Sequence, residues 1–452
     1  MKFMKYTLTL FVTGLLLLSQ AAQAQEMLIN TIAGTGVIGF SGDGGTSTNA
    51  ELYGPQNVTV DNLGNIYFCD FFNLRVRKIS TAGVITTVAG NGVSGYSSDT
   101  ALATTVDMNP QAVVADKLGN IYISDGANVI FKVNSVGVVY RIAGTTMSGY
   151  TGDGGLAINA RLNGPRGLAL DTMGNLYFAD AMNNVVRKIN TSGVISTIAG
   201  DDSAGYFGDD SVATIAKLDS PLSVAVDYSG NVFISDYKNN VIRKVDVNGI
   251  MSTYAGVYSL TPGYTGNNGP ATAATLNGPG YIAVDTFGNL FIPDANNNVV
   301  RKVNAVSGII TTVAGNGTFG FGGDLGNALG ANLHVPYGVA VDNSGTLYIA
   351  DANNERIRKV YNPYLAVKNV YTNADINVYP NPSFGQVTVT GLDQSDKVFI
   401  YDMLGRQIGT GWQISNAGSK TFDVASLDAG VYLLQVNDAS GSKKAVTRLV
   451  KE

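Results

Sequence analysis

The chain has 452 residues, only 14% of them charged, with 55 glycines, 23 tyrosines and a single tryptophan. A net charge of −5 leaves no basic face for nucleic acid, and one cysteine, Cys69, excludes an intramolecular disulfide. Low charge, abundant glycine and many β-branched residues point to an all-β protein with numerous tight turns.

Residues 1–24 read as an export leader. Lys2 and Lys5 precede an apolar run over residues 7–18, and Ala22-Gln23-Ala24 supplies the small-x-small pattern of a cleavage site. The run is too short to span a bilayer. No later stretch reaches that length, so no transmembrane segment is expected in the mature chain.

Residues 25–361 repeat. Pro55, Pro110, Pro165, Pro221, Pro279 and Pro336 lead six copies, spaced 55, 55, 56, 58 and 57 residues apart. In the third copy an apolar run over 167–171 ends in aspartate. A D-x-x-G-N turn leads to 176–179, a D-x-x-N-N loop to 185–189, and a Ser-Gly turn to 194–199. Short apolar runs between Gly, Asn and Asp turns predict antiparallel strands. Four-stranded units repeated radially make a propeller, in which neighbours supply the core that one unit lacks.

Six copies are present, but only five are followed by a strand of the I-x-T-x-A-G type. The missing one stands at residues 29–34, INTIAG. The expected fold is therefore a six-bladed β-propeller whose last blade is completed by the N-terminal strand, leaving no unpaired seam.

The motif G-x-x-(V/L)-A-(V/L)-D-x-x-G-N-(L/I)-Y-(I/F)-x-D-x-x-N-N-x-V-R-K-(I/V), recurring six times in phase, resembles the NHL repeat. That resemblance implies a propeller serving mostly as a binding platform for proteins, sugars or RNA, with a minority of lyases. The lyases use histidine-held metal. This chain has one histidine, His334, and departs from them at the decisive residues.

Residue types shared by nearly every copy belong to the scaffold, because a ligand seldom has six-fold symmetry. Asp61, Asp116, Asp171, Asp227, Asp285 and Asp342 are expected to initiate turns. Asp70, Asp125, Asp180, Asp236, Asp294 and Asp351 are expected to pair with Arg77, Arg187, Arg243, Arg301 and Arg358; the second copy has Phe131 instead. Long connections carry aromatic-x-Gly-Asp with Asp43, Asp153, Asp209 and Asp324. An Asx-turn with a packed aromatic accounts for them. Calcium is the alternative, although each loop offers at most two acidic side chains against the six to eight oxygens calcium takes. No other cofactor is expected.

These connections and the D-x-x-N-N loops share one face, whose centre is the expected channel mouth. Two residues before each proline stand Tyr53, Met108, Asn163, Asp219, Asn277 and His334. Just after it stand Gln56, Gln111, Arg166, Leu222, Gly280 with Tyr281, and Tyr337. Candidate ligand-binding residues are Tyr53, Gln56, Gln111, Asn163, Arg166, Asp219, Asn277, Tyr281, His334 and Tyr337. Amides and aromatics suit a sugar or peptide. There is no G-x-S-x-G elbow for a serine nucleophile.

After a linker at 362–375, residues 376–452 alternate as a small β-sandwich. Tyr379-Pro380-Asn381-Pro382, Leu404-Gly405-Arg406, Gly430-Val431-Tyr432 and the basic last strand resemble the type A C-terminal sorting domain of the type IX secretion system of Bacteroidetes. The resemblance implies the type IX machinery as a partner, then removal of the domain. The chain reads as a secreted or surface-held monomer that binds glycan or protein without catalysis. The alternative is an extracellular lyase or hydrolase with a metal held by carboxylates and amides at the mouth.

Overall fold

The computed structural model describes residues 27–258 and 261–362, then 376, 378–379, 383, 385–401, 407–413, 418–427, 430–441 and 443–451. The leader expected at 1–24, most of the linker, Pro380-Asn381-Pro382 of the Tyr-Pro-Asn-Pro motif and Leu404-Gly405-Arg406 lie outside the described residues. The described chain divides between Tyr361 and Asn362 into two compact units. Among the described residues there is no α-helix, only three-residue 3-10 turns.

The first unit holds six antiparallel sheets of four or five strands. The third shows how a copy folds: Pro165–Leu170, Leu176–Asp180, Val185–Ile189 and Ile195–Ala199 pair in chain order. Short strands Thr100–Leu102, Ser211–Val212 and Gly269–Pro270 extend the outer edges of the second, fourth and fifth sheets. In the sixth, Arg356–Tyr361 pairs with the N-terminal strand Leu28–Ala33, with Ile29 opposite Val360 and Asn30 opposite Lys359.

Turn chemistry explains why the copies fold alike. Asp171 Oδ1 accepts the N–H groups of Met173 and Asn175 at 3.0 and 2.9 Å. Its Oδ2 accepts Asn175 Nδ2 at 2.6 Å and the Tyr177 hydroxyl at 3.2 Å. Asp61 repeats all four bonds. These carboxylates are turn formers, as expected.

Cores lie between successive sheets. Tyr177, Ala179 and Val186 of the third pack on Val224, Ile234 and Met251 of the fourth. Val58 and Phe68 of the first pack on Ala340, Ala350 and Ile357 of the sixth. A repeated clasp joins neighbours across these cores. Asn184, in the left-handed region at φ 53°, accepts the Ser220 N–H at 3.0 Å through its side chain. Asn128, Asn240 and Asn298 hold Gly164, Gly278 and Val335 in the same way. Glu355 takes this position in the sixth sheet and accepts the Gly54 N–H of the first.

The second unit pairs Val378–Tyr379, Gln386–Leu392 and Gly418–Asp423 in one sheet. The other sheet orders Gln407–Gln413, Lys397–Tyr401, Gly430–Asn437 and Lys443–Lys451. Both bury one face in a shared core of Val387, Val389, Ile400, Phe422, Leu434 and Leu449.

Candidate functional site

The D-x-x-N-N loops and the long Gly-Asp loops do share a face. Asn73, Asn183, Asn239, Asn297 and Asn354 donate through Nδ2 to the carbonyls of Gly39, Gly149, Gly205, Gly263 and Gly320.

Under that face each sheet except the second buries one arginine, and in four of the sheets it lies between two carboxylates. Arg187 lies 3.5 Å from Asp180, both fully buried, and 2.6 Å from the half-exposed Asp153. Tyr150 covers its guanidinium at 5.3 Å. Arg77, Arg243 and Arg358 repeat the arrangement with Asp70/Asp43, Asp236/Asp209 and Asp351/Asp324. In the fifth sheet Arg301 keeps Asp294 at 3.5 Å, and Asn267 replaces the second carboxylate. The inner pairing was legible from spacing, but the outer one was not. Calcium at these loops would compete with the guanidinium for the same oxygens.

The second sheet solves the same problem without arginine. Phe131 stacks on Tyr96 at 5.8 Å and 14°, while Asp99 turns to Arg141 at 2.5 Å. Asp125 keeps only backbone donors, the N–H groups of Asn109 and Ala127 at 2.6 and 2.8 Å. Burial pushes its carboxyl up to about 6.

The unfolded value is about 3.9. The stability that Asp125 contributes is therefore whole below about pH 4 and is lost as pH rises through about 6. Asp125→Asn forfeits one acceptor at every pH but removes this slope. Relative to wild type, the variant is expected to gain about 3 kcal/mol between pH 4 and pH 7.5 in urea unfolding. A parallel pair of pH profiles would refute this.

The candidate residues form two groups. Gln111, Arg166, Tyr281 and Tyr337 come together. Arg166 Nη1 donates to Gln111 Oε1, and the Tyr281 hydroxyl donates to the Gln111 carbonyl at 3.0 Å. Tyr281 meets Tyr337 edge-on at 5.7 Å. Gln111 and Tyr281 are buried in this cluster, while Arg166 and Tyr337 are half-buried. Tyr281 is 1% exposed, and burial pushes its hydroxyl well up and that of Tyr337 up to about 12.

The cause lies in the fifth sheet, whose first strand is only Ala283–Val284. Tyr281 instead forms a parallel bridge with Gly338 of the sixth sheet. Gly280 permits this, since a Cβ there would lie 2.2 Å from the Tyr337 carbonyl oxygen. Gln56 is half-buried, and its Oε1 is buried without a hydrogen-bond partner among the described residues.

Tyr53, Asn163, Asp219, Asn277 and His334 stay apart, each on its own sheet. Tyr53 packs against Phe72 at 4.6 Å with the rings tilted by 36°, and the two residues are 37% and 54% exposed. His334 lies 5.5 Å from Phe319. Asp219 meets Lys238 at 3.5 Å, and Asn277 accepts Asn296 Nδ2 at 3.1 Å. Asn163 donates its N–H to Asp180 at 2.7 Å.

Met108 does not belong with them. It is fully buried, and Asn109 donates to Asp125 as Tyr53 does to Asp70. A one-residue deletion before Pro110 shifts the register there. Sequence reasoning missed Phe72, Lys238 and Asn296. Their signal is variation at the residue two after the aspartate of the D-x-x-N-N loop.

At the opposite ends of the first strands lies a cavity of about 370 Å³, lined by Val60, Ala115, Leu170 and Val226 with the D-x-x-G-N turns at its edge.

Residues 37–109 and 146–207 match the teneurin NHL domain family, residues 333–360 the NHL repeat, and residues 377–452 the secretion system C-terminal sorting domain. The chain thus carries NHL repeats in a propeller-like array of sheets and ends in a type IX sorting domain. That domain marks it for the secretion machinery and for delivery to the cell surface or beyond.

Teneurin-4 of Homo sapiens is 33% identical over 244 residues, 49% of this chain but 9% of that protein. The chain spans about a tenth of the length of the curated relatives it matches. A structural-genomics protein of unknown function from Bacteroides thetaiotaomicron shares the fold at TM-score 0.57 and 19% identity, over 74% of this chain and 76% of that one. An auxiliary nutrient binding protein from Bacteroides ovatus does so at TM-score 0.54 and 15% identity, over 75% and 77%. No helix among the described residues is long and apolar enough to cross a membrane.

Proposed function

We propose that the six sheets are the blades of one closed propeller, and that it is an exported, non-enzymatic module binding glycan on its loop face. Three contacts support the ring: Leu28–Ala33 on Arg356–Tyr361, the Glu355 clasp on Gly54, and the core shared by the first and sixth sheets. The observation that carries the binding reading is the exposed Tyr53–Phe72 pair, beside polar groups that differ from blade to blade.

Planar rings stack on the apolar faces of sugars, and amides and carboxylates bond their hydroxyls. Asn277 with Asn296 and Asp219 with Lys238 supply such groups on other blades. The buried carboxylates beneath serve the arginines and hold the loops still. The Bacteroides ovatus protein of this fold is a nutrient binder; the reading extends that role to this chain.

A glycan array probed with the full chain is expected to give selective binding. Replacing both Tyr53 and Phe72 by alanine is expected to weaken it about tenfold or more, the loss of roughly 1.4 kcal/mol of stacking. Binding unchanged in the double variant would move the site elsewhere. A bare array alongside capture of a protein ligand would favour the protein reading.

A further inference from the structure

We propose that the cavity at the D-x-x-G-N ends of the first strands is a second binding pocket, for a small uncharged or cationic molecule with an apolar body. This inference rests on the closed ring but not on the ligand proposed for the loop face.

Its inner wall is apolar and its rim polar. Val60, Ala115, Leu170 and Val226 come from four different blades and are each only partly buried, so their side chains border the open volume. Deeper between the same strands, a further cavity of about 170 Å³ is lined by Val58, Val113, Leu168, Val224, Ile282 and Val339. The outer volume of about 370 Å³ falls in the range of small-molecule sites. Water against apolar walls finds few partners, and an apolar body displaces it favourably.

The pocket opens between the D-x-x-G-N turns. At the other end of these strands Tyr281 of the fifth blade reaches the Gln111 carbonyl of the second, on the far side of the ring, at 3.0 Å. Arg166 bonds Gln111, and Tyr337 packs on Tyr281. A residue that spans the ring and is 1% exposed is a floor. A ligand must therefore enter between the D-x-x-G-N turns, on the face opposite the aromatic loops.

The rim selects by charge. Asp61, Asp116, Asp171 and Asp227 line the opening, with Lys117 the one cation among its lining residues. Both oxygens of Asp61 and Asp171 already serve the turns. The carboxylates therefore act through their field, against anions, and not as ligands in their own right.

Titration of the full chain with N-phenyl-1-naphthylamine, a neutral apolar fluorophore, is expected to saturate at one equivalent. The anionic 8-anilinonaphthalene-1-sulfonate is expected to bind about tenfold more weakly or worse, and the preference to shrink at high salt. Ala115→Phe fills the pocket and is expected to abolish the signal. Leu170→Thr, which adds polarity without bulk, weakens it should the first variant fold poorly.

Tyr53→Ala on the loop face leaves the signal intact. Absence of saturable binding overturns the pocket, as does binding indifferent to both pocket variants or lost with Tyr53→Ala. The ring is read separately: a chain destabilised by Gly34→Ala that still ignores the probe refutes the pocket alone.

Discussion

Replacing Arg187 by alanine is expected to destabilise the unit of residues 27–361 by about 3–5 kcal/mol, the usual cost of leaving one partner of a buried ion pair alone. Arg187 is fully buried and holds four groups at once. Nη1 contacts Asp180 at 3.5 Å and donates to the Arg161 carbonyl at 3.1 Å. Nη2 donates to the Thr151 carbonyl at 2.9 Å and to Asp153 at 2.6 Å. Truncation strands Asp180 with the Asn163 N–H and Asn183 Nδ2, and it releases the loop that Asp153 anchors.

Burial already pushes the Asp180 carboxyl up to about 6 while the arginine pulls it down. Without the arginine it rises further above its unfolded value. The variant therefore keeps most of its stability below about pH 4 and loses it as pH climbs through the new folded value. The deficit in urea unfolding is expected to be larger at pH 8 than at pH 5. A deficit independent of pH would assign the loss to packing. Arg187→Phe is expected to be milder than Arg187→Ala, because Phe131 on Tyr96 fills the same place in the second blade.

Gly34→Ala is expected to cost about 2–5 kcal/mol and to lower the whole transition of residues 27–361, not one edge of it. Gly34 has φ +91°, where a side chain costs roughly 1–2 kcal/mol. A Cβ there would lie 2.1 Å from the Glu355 carbonyl oxygen, a backbone atom that cannot step aside, which adds about 1–3 kcal/mol. The collision falls where the N-terminal strand meets the sixth sheet, at the backbone of the same Glu355 whose side chain clasps Gly54. Gly44→Ala is the control. It has φ +82° with nothing within 4 Å of the added Cβ, so only the backbone cost is expected. Equal effects of the two substitutions in thermal unfolding would show that the N-terminal strand does not hold the ring.

Much of this was legible in the chain because a repeat writes the same local solution six times. The Asp61-type turns, the four strands per copy and the inner Asp–Arg pairs all depend on residues within about twenty positions of one another. A spacing is enough to reveal them. The second copy was misread at Met108 because its shortened loop keeps the proline but moves the residue before it.

The candidate site was legible only in part. Variation at the flanks of each proline correctly singled out residues unlike one another. It could not tell which of them turn inward and which face solvent. Gln111, Arg166, Tyr281 and Tyr337 lie as much as 226 positions apart in the chain and meet only because different sheets converge. The same convergence buries Tyr281 and Gln111 at that end of the first strands, while a cavity lies at the other.

By itself, then, the chain determined an all-β repeat, its turns, its buried charges and its terminal sorting domain, because each is set by neighbours in sequence. The tertiary structure alone decided what the unlike residues do. Asp43, Asp153, Asp209 and Asp324 became anchors for arginines 34 positions away. Tyr281 left its own sheet to cross to another. Such meetings depend on the angle between blades and the width of the space they enclose, and no periodicity along one strand encodes either.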